Sequence, residues 1–234
     1  MRYRLAVLFL LLAAPAMAKK PPPPPPPVEI ALQWKSGTVL FQKTAVSTVR
    51  EEVTGTHVIS ADSLVMTGPG SQGVLVYPDS SRVALGGGTT VQVGRFARAR
   101  DHAASTTIAI PPSGGVVRFD VNHASSGESD FVFTTSLASI TVRGTSALLS
   151  DGIGGDTLTC LMCEAGDVVA RLRGADYAVL TGETLRITPS GRVTIEKTRD
   201  DVLATFTATG LSVVLPKPAP TPTPHHFHLP KTRL

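Results

Sequence analysis

The 234-residue chain is 42% hydrophobic but only 5% aromatic, and its 22 Lys+Arg against 18 Asp+Glu give a formal charge of +4. That surplus is not where a nucleic-acid binder would carry it. Residues 28–215 hold 15 basic and all 18 acidic side chains, net −3, and the excess sits in Arg2, Arg4, Lys19, Lys20, Lys217, Lys231 and Arg233, so nucleic acid is excluded as the expected partner. The basic ends leave open a salt-sensitive contact with an anionic envelope surface.

In chain order, Arg2 and Arg4 precede an apolar stretch from Leu5 to Ala14, then Pro15 and the small-x-small pattern Ala16-Met17-Ala18. This predicts a signal peptide over residues 1–18, cleaved after Ala18, and hence an exported, periplasmic or extracellular protein. About ten apolar residues make only about 15 Å of helix, half a hydrocarbon core, and no other run approaches the roughly 20 that a span needs. The protein is thus not expected to be integral to a membrane. No cysteine lies near the cleavage site, so lipid attachment there is not supported. Residues 19–27 form a Lys/Pro-rich linker and residues 216–234 a Pro/His-rich tail. Together they hold 13 of the 19 prolines, which favours extended spacers without ladder donors.

Between these arms, residues 28–215 read as one all-β domain. Val-, Thr-, Ile- and Leu-rich stretches are punctuated by Gly and Ser every eight to twelve residues, the mark of many short strands in a sandwich or short solenoid. Candidate strands are residues 38–41, 63–66, 73–77, 82–85, 89–93, 116–121, 131–135, 139–142, 168–172 and 177–180, with Gly86-Gly87-Gly88 as a turn. In Val116–Val121 the alternation puts Val117, Phe119 and Val121 on one face. No helical stretches intervene, so mostly antiparallel pairing is expected rather than βαβ units. One helix is expected late in the domain. Thr198 and Asp201 have capping-box spacing, Val202, Leu203 and Phe206 share a face, and Gly210 closes it; the β-branched Thr205, Thr207 and Thr209 argue for a strand instead.

The order of short motifs resembles the FecR-type domain of bacterial iron-transport regulators and many exported proteins. The resemblance rests on Ala61–Thr67, Pro78-Asp79-Ser80-Ser81-Arg82-Val83-Ala84-Leu85, Gly115–Val121, Phe131–Thr135 and Ala138-Ser139-Ile140-Thr141-Val142-Arg143-Gly144-Thr145, followed by Thr181-Gly182-Glu183. It covers roughly residues 36–192. Ser80 stands where the family has a turn glycine, and Ala147 where it has an aromatic. Those regulators also carry a cytoplasmic anti-sigma segment and a membrane helix, for which the signal peptide and polyproline run leave no place. The resemblance therefore implies the domain and an envelope location, and not sigma-factor regulation. Gly144 is expected to permit a tight turn. Arg143 is expected to pair with an acid such as Asp120 or Asp79, with ligand binding as its alternative role.

Candidate chemistry is sparse. Cys160 and Cys163 form a C-x-x-C whose surroundings read as strand, where residues three apart lie about 10 Å apart. A disulfide then needs a bulge or a turn at Glu164-Ala165-Gly166. Free or intermolecular thiols, and a redox pair, are the alternatives. Arg95, Arg98 and Arg100 form a basic cluster beside Phe96, fitting an acidic ligand or a solvated hairpin tip. His225, His226 and His228 offer weak metal binding in a flexible tail, and no defined metal site or cofactor is expected. Asp151-Gly152-Ile153-Gly154-Gly155-Asp156 is a single copy of a calcium-turn-like pattern and reads as a Gly-rich hairpin loop. Nucleophile elbows, P-loops and H-E-x-x-H are absent. The expected function is a non-enzymatic exported module that binds a protein or glycan in the envelope. A structural or assembly component, and a thiol-redox or metal-handling protein, are the alternatives. The sequence does not fix the oligomeric state.

Overall fold

The computed structural model describes residues 29–98, 104–112, 114–122 and 130–213. The expected signal peptide, the Lys/Pro linker, the Pro/His tail with His225, His226 and His228, and Arg100 lie outside the described residues. Among those described, nineteen strands are followed by one helix. The strands are β1 (Ile30–Ser36), β2 (Val39–Gln42), β3 (Glu51–Glu52), β4 (Thr56–Ile59), β5 (Leu64–Thr67), β6 (Gln72–Val76), β7 (Arg82–Leu85), β8 (Thr90–Val93), β9 (Ala97–Arg98), β10 (Ala104–Ala109), β11 (Gly115–Asp120), β12 (Asp130–Thr134), β13 (Ser139–Val142), β14 (Ser146–Asp151), β15 (Asp156–Met162), β16 (Val168–Leu172), β17 (Ala175–Ala178), β18 (Glu183–Ile187) and β19 (Val193–Lys197); the helix is α1 (Asp200–Ala208).

The strands form two sheets facing each other. The first runs β4-β1-β6-β7-β11-β14-β15-β18-β19 and the second β3-β2-β5-β8-β10-β12-β13-β16-β17, with β9 paired to β10 outside that row. The pairings are antiparallel, as expected, apart from β10 with β12, which are parallel from Ser105 opposite Asp130 to Ala109 opposite Thr134. From β5 onward the chain lays one or more strands in one sheet, crosses to the other, and moves along. Order in sequence and order in space therefore advance together, so the fold is a sandwich that grows like a short solenoid, and not a closed barrel.

Period-two alternation fills the space between the sheets. In β11 every second residue (Gly115, Val117 and Phe119) is buried, while Val116, Arg118 and Asp120 face outward. Phe119 of the first sheet stacks on Phe133 of the second with centroids 4.5 Å apart, and Tyr77 meets Phe131 edge-on at 5.1 Å. Burial drives the Tyr77 phenol far above its usual proton affinity, so it stays neutral in the core.

The expected helix is present and packs on the outer face of the first sheet. Val202, Phe206 and the following Leu211 bury Leu148 of β14 and Leu161 of β15, with Ala84 and Val116 alongside. Three bonds fix the segment after it: Gln72 Nε2 donates to Gly210 O (2.6 Å), Gly87 N to Thr209 O (3.1 Å) and Arg118 Nη1 to Ser212 O (2.6 Å). The expected capping box is not formed. Arg199 is the N-cap and makes no side-chain cap bond. The Thr198 hydroxyl is occupied elsewhere, ending a row Thr159–Thr184–Thr198 at 2.9 and 3.0 Å. Asp200 and Asp201 in the first turn supply the negative charge that the helix start favours. The threonines that argued for a strand are accommodated by donating back along the helix, Thr205 to Asp201 O and Thr207 to Leu203 O, both at 3.0 Å.

Candidate functional site

The registers collect one set of turns at a single end of the sandwich. Phe131 opposite Val142 and Val142 opposite Val168 bring the start of β12 and the β13–β14 and β15–β16 connections together there. The β6–β7 turn joins them, because Asp120 at the end of β11 lies opposite Arg82 at the start of β7. Between these turns opens a groove of about 400 Å³, with Ser80, Asp120, Val121, Asn122, Gly144, Thr145, Ser146 and Met162 as its lining. Two motifs that carried the sequence resemblance, Asp79-Ser80-Ser81 and Arg143-Gly144-Thr145, thus border one opening.

Each wall is tied down by local chemistry. Asp79 accepts from Ser81 N (3.0 Å) and Ser81 Oγ (2.8 Å), an Asx-type turn. Asn122 closes it by donating from its backbone N to Ser81 Oγ (3.0 Å) and from Nδ2 to Asp79 O (2.9 Å). Opposite, the Thr145 hydroxyl donates to Met162 O, and Val121 N donates to Thr145 O at 2.8 Å. The floor is an ion pair: Arg118 grips Asp120 through Nη2 at 2.9 Å and Nε at 3.1 Å, and Ser146 Oγ donates to Asp120 at 2.5 Å. Gly144 has φ +56°, the left-handed turn that was expected of it.

Ser80 occupies the turn position where the resemblance calls for glycine, and its φ is +72°. A side chain there costs about 1–2 kcal/mol relative to glycine, partly offset by the greater freedom glycine has in the unfolded chain. Ser80→Gly is therefore expected to raise unfolding free energy by about 0.5–1 kcal/mol, measured by urea denaturation. A destabilised variant would show that the Ser80 side chain is required in the turn.

Met162 reaches the groove because β15 is irregular. Cys160 lies opposite Ala147 and Met162 opposite Ser146, so Leu161 is an extra, bulged residue. Alternation keeps Cys160 in the central core and Leu161 on the helix-covered face, and the extra residue turns Met162 to that outer face as well. It also shortens the Cys160–Cys163 Cα separation to 6.1 Å, and the two are joined by a disulfide. Met162 between them is 62% exposed.

Of the arginines proposed from sequence, Arg143 borders this opening. Arg143 pairs with Asp130, Nε to Oδ1 at 2.7 Å, and not with the expected Asp120 or Asp79. Asp120 is held by Arg118, and Asp79 by its own turn. Arg95 is exposed just beyond β8, and Arg98 is in β9 opposite Ala104. Sequence reasoning missed Asp120, Asn122, Ser146 and Met162 as groove residues. Asp120 was visible only as a possible partner of Arg143, and Met162 only as a spacer in the C-x-x-C. Among the described residues no three His, Cys, Asp or Glu side chains cluster to hold a metal. No helix among them is long and apolar enough to cross a membrane. The groove offers hydroxyl, amide and thioether contacts around a neutralised carboxylate, a surface suited to binding.

Comparison with known proteins agrees with the architecture. Two crystal structures of a candidate anti-sigma factor from Parabacteroides distasonis ATCC 8503 are similar in fold, each 14% identical over 62% of this chain. Their TM-scores are 0.50 and 0.49, with 64% and 63% of those chains covered. The chain thus spans just under two thirds of their length. Among curated proteins none matches. The family model described as FecR protein matches residues 63–169, the segment containing both groove-lining motifs.

Proposed function

We propose that this chain is a non-enzymatic, exported FecR-domain protein that binds a protein partner in the periplasm or cell envelope through the grooved end of its sandwich. The observation that carries this reading is the convergence of the Asp79-Ser80-Ser81 and Arg143-Gly144-Thr145 turns on an open groove with the exposed Met162 thioether at its wall. An exposed methionine is adaptable and well suited to a protein surface. Export is supported by the basic Arg2 and Arg4, the apolar run from Leu5 to Ala14 and the small-x-small pattern Ala16-Met17-Ala18. A glycan is the alternative ligand. The redox reading is disfavoured by the complete burial of Cys160 and its engagement with Cys163. An assembly role through strand pairing is disfavoured at β19, where Arg192, Glu196 and Lys197 place charge along the sheet edge.

The test compares partner capture by the wild-type protein and by Met162→Glu and Asn122→Ala, using envelope fractions prepared with and without muralytic digestion. Specific protein capture is expected to fall at least about tenfold in Met162→Glu, as for the loss of an interface anchor, with an unchanged thermal melt. Undiminished capture by both variants would rule out the groove. Capture abolished by muralytic digestion alone would favour a glycan.

A further inference from the structure

At the opposite end of the sandwich, the β14–β15 hairpin places two carboxyl groups where the sheets meet. Asp151 and Asp156 are only 5% and 2% exposed. Asp156 Oδ2 accepts from Thr135 Oγ1 at 2.5 Å. The same Thr135 oxygen accepts from Leu137 N (3.2 Å) and Ala138 N (3.0 Å), organising the turn between β12 and β13 in the facing sheet. Asp151 lies beside Ser136 of that turn and Gly152 of its own loop, whose polar groups favour its charged form and oppose the effect of burial. The remaining oxygens, Asp151 Oδ2 and Asp156 Oδ1, are buried without any other partner, although the two side chains are hydrogen-bonding neighbours. Two bare carboxylates offer each other only acceptors. A single proton turns one of them into a donor and satisfies both.

We propose that Asp151 and Asp156 share one proton, and that this protonated pair fastens the first sheet to the β12–β13 turn of the second, making the strength of that fastening depend on pH across the neutral range. Leaving both groups charged would strand two like charges in a dry site. Burial raises the proton affinity of both carboxyls, and that of Asp156 reaches about 7.

No cation compensates among the described residues that pack here. Gly114 and Gly115, the turn from Thr135 to Ala138, and Ile187-Thr188 carry no titratable side chain. Arg186 of β18 is half-exposed and paired with Glu196 at 3.1 Å. Arg192 of the β18–β19 turn is exposed, and Arg173 of the β16–β17 turn packs over Gly191.

The sign of the effect follows from linkage. The folded pair holds a proton that the unfolded chain releases at its ordinary value near 3.9. Stability therefore falls as pH rises from that value through about 7 for Asp156 and levels off above it. Thermal melts of the full chain at pH 5, 6, 7 and 8 are expected to fall by about 5–10 °C over that range, with the slope largely abolished in Asp156→Asn. Carboxyl-carbon NMR of Asp-labelled wild type is expected to show one buried pair titrating near neutrality. Asp151→Asn provides a second variant should Asp156→Asn fail to fold, and the wild-type titration needs neither. A pH-independent wild-type melt, an unchanged slope in the variants, or carboxyl signals that titrate only near 4 would overturn the shared proton. So would a melt raised by calcium and lowered by chelator at pH 8, which would assign the pair to a cation.

Discussion

Phe206→Ala is expected to lower the free energy of unfolding by about 3–5 kcal/mol, the usual cost of deleting a buried aromatic ring. Phe206 is 1% exposed and packs with Leu148, Leu161, Val202 and Leu211. These contacts lie on the outer face of the first sheet, away from the main core, and Leu148 and Leu161 are fully buried there only because α1 covers them. Without the ring the helix loses its anchor and two leucines meet water. Urea denaturation followed by tryptophan fluorescence and far-ultraviolet circular dichroism measures the change. A cost below about 1 kcal/mol, within reach of ordinary surface substitutions, would mean that α1 is not a structural cover.

The second large effect is expected at Gly155, in the loop joining β14 to β15. Its φ is +103°, and a Cβ placed there would stand 2.0 Å from the Ile187 carbonyl oxygen of β18. The obstacle is backbone, which cannot swing aside, so Gly155→Ala must shift either the loop or the neighbouring strand. A loss of about 2–5 kcal/mol is expected, combining backbone strain with displaced pairing. Gly152 in the same loop provides the control, since nothing lies within 4 Å of the position a methyl group would take there. Gly152→Ala is expected to stay within about 0.5 kcal/mol of wild type. Equal effects of the two substitutions in parallel denaturant melts would refute the steric account.

The strands of the middle of the chain were legible because their alternation and turn residues are local signals. β11 is the plainest case, with inward and outward positions readable from six residues. The parallel pairing of β10 with β12 was not legible, since it depends on β11 leaving for the other sheet between them. The partner of Arg143 was hidden for the same reason. Asp120 belongs to the first sheet and Arg143 follows a strand of the second, where Phe131 opposite Val142 brings Asp130 alongside. The groove was the least visible feature. One extra residue at Leu161 decides that Met162 shares a face with Asp120 and Ser146, and nothing in the Cys160–Cys163 stretch announces where a bulge falls. The helix was recognisable from Val202, Leu203 and Phe206, but its start was not, because the competition for the Thr198 hydroxyl is tertiary.

The steady march of strands along the sandwich has a consequence for how the protein comes apart. A structure whose neighbours in space are mostly neighbours in sequence tends to fray from its ends in independent steps, as stacked-repeat proteins do. Here the last segment doubles back, and the bond from Gln72 to Gly210 joins positions 138 residues apart. Peeling away β18 and β19 must therefore also uncover the middle of the first sheet. The returning segment converts a line of hairpins into a single cooperative unit.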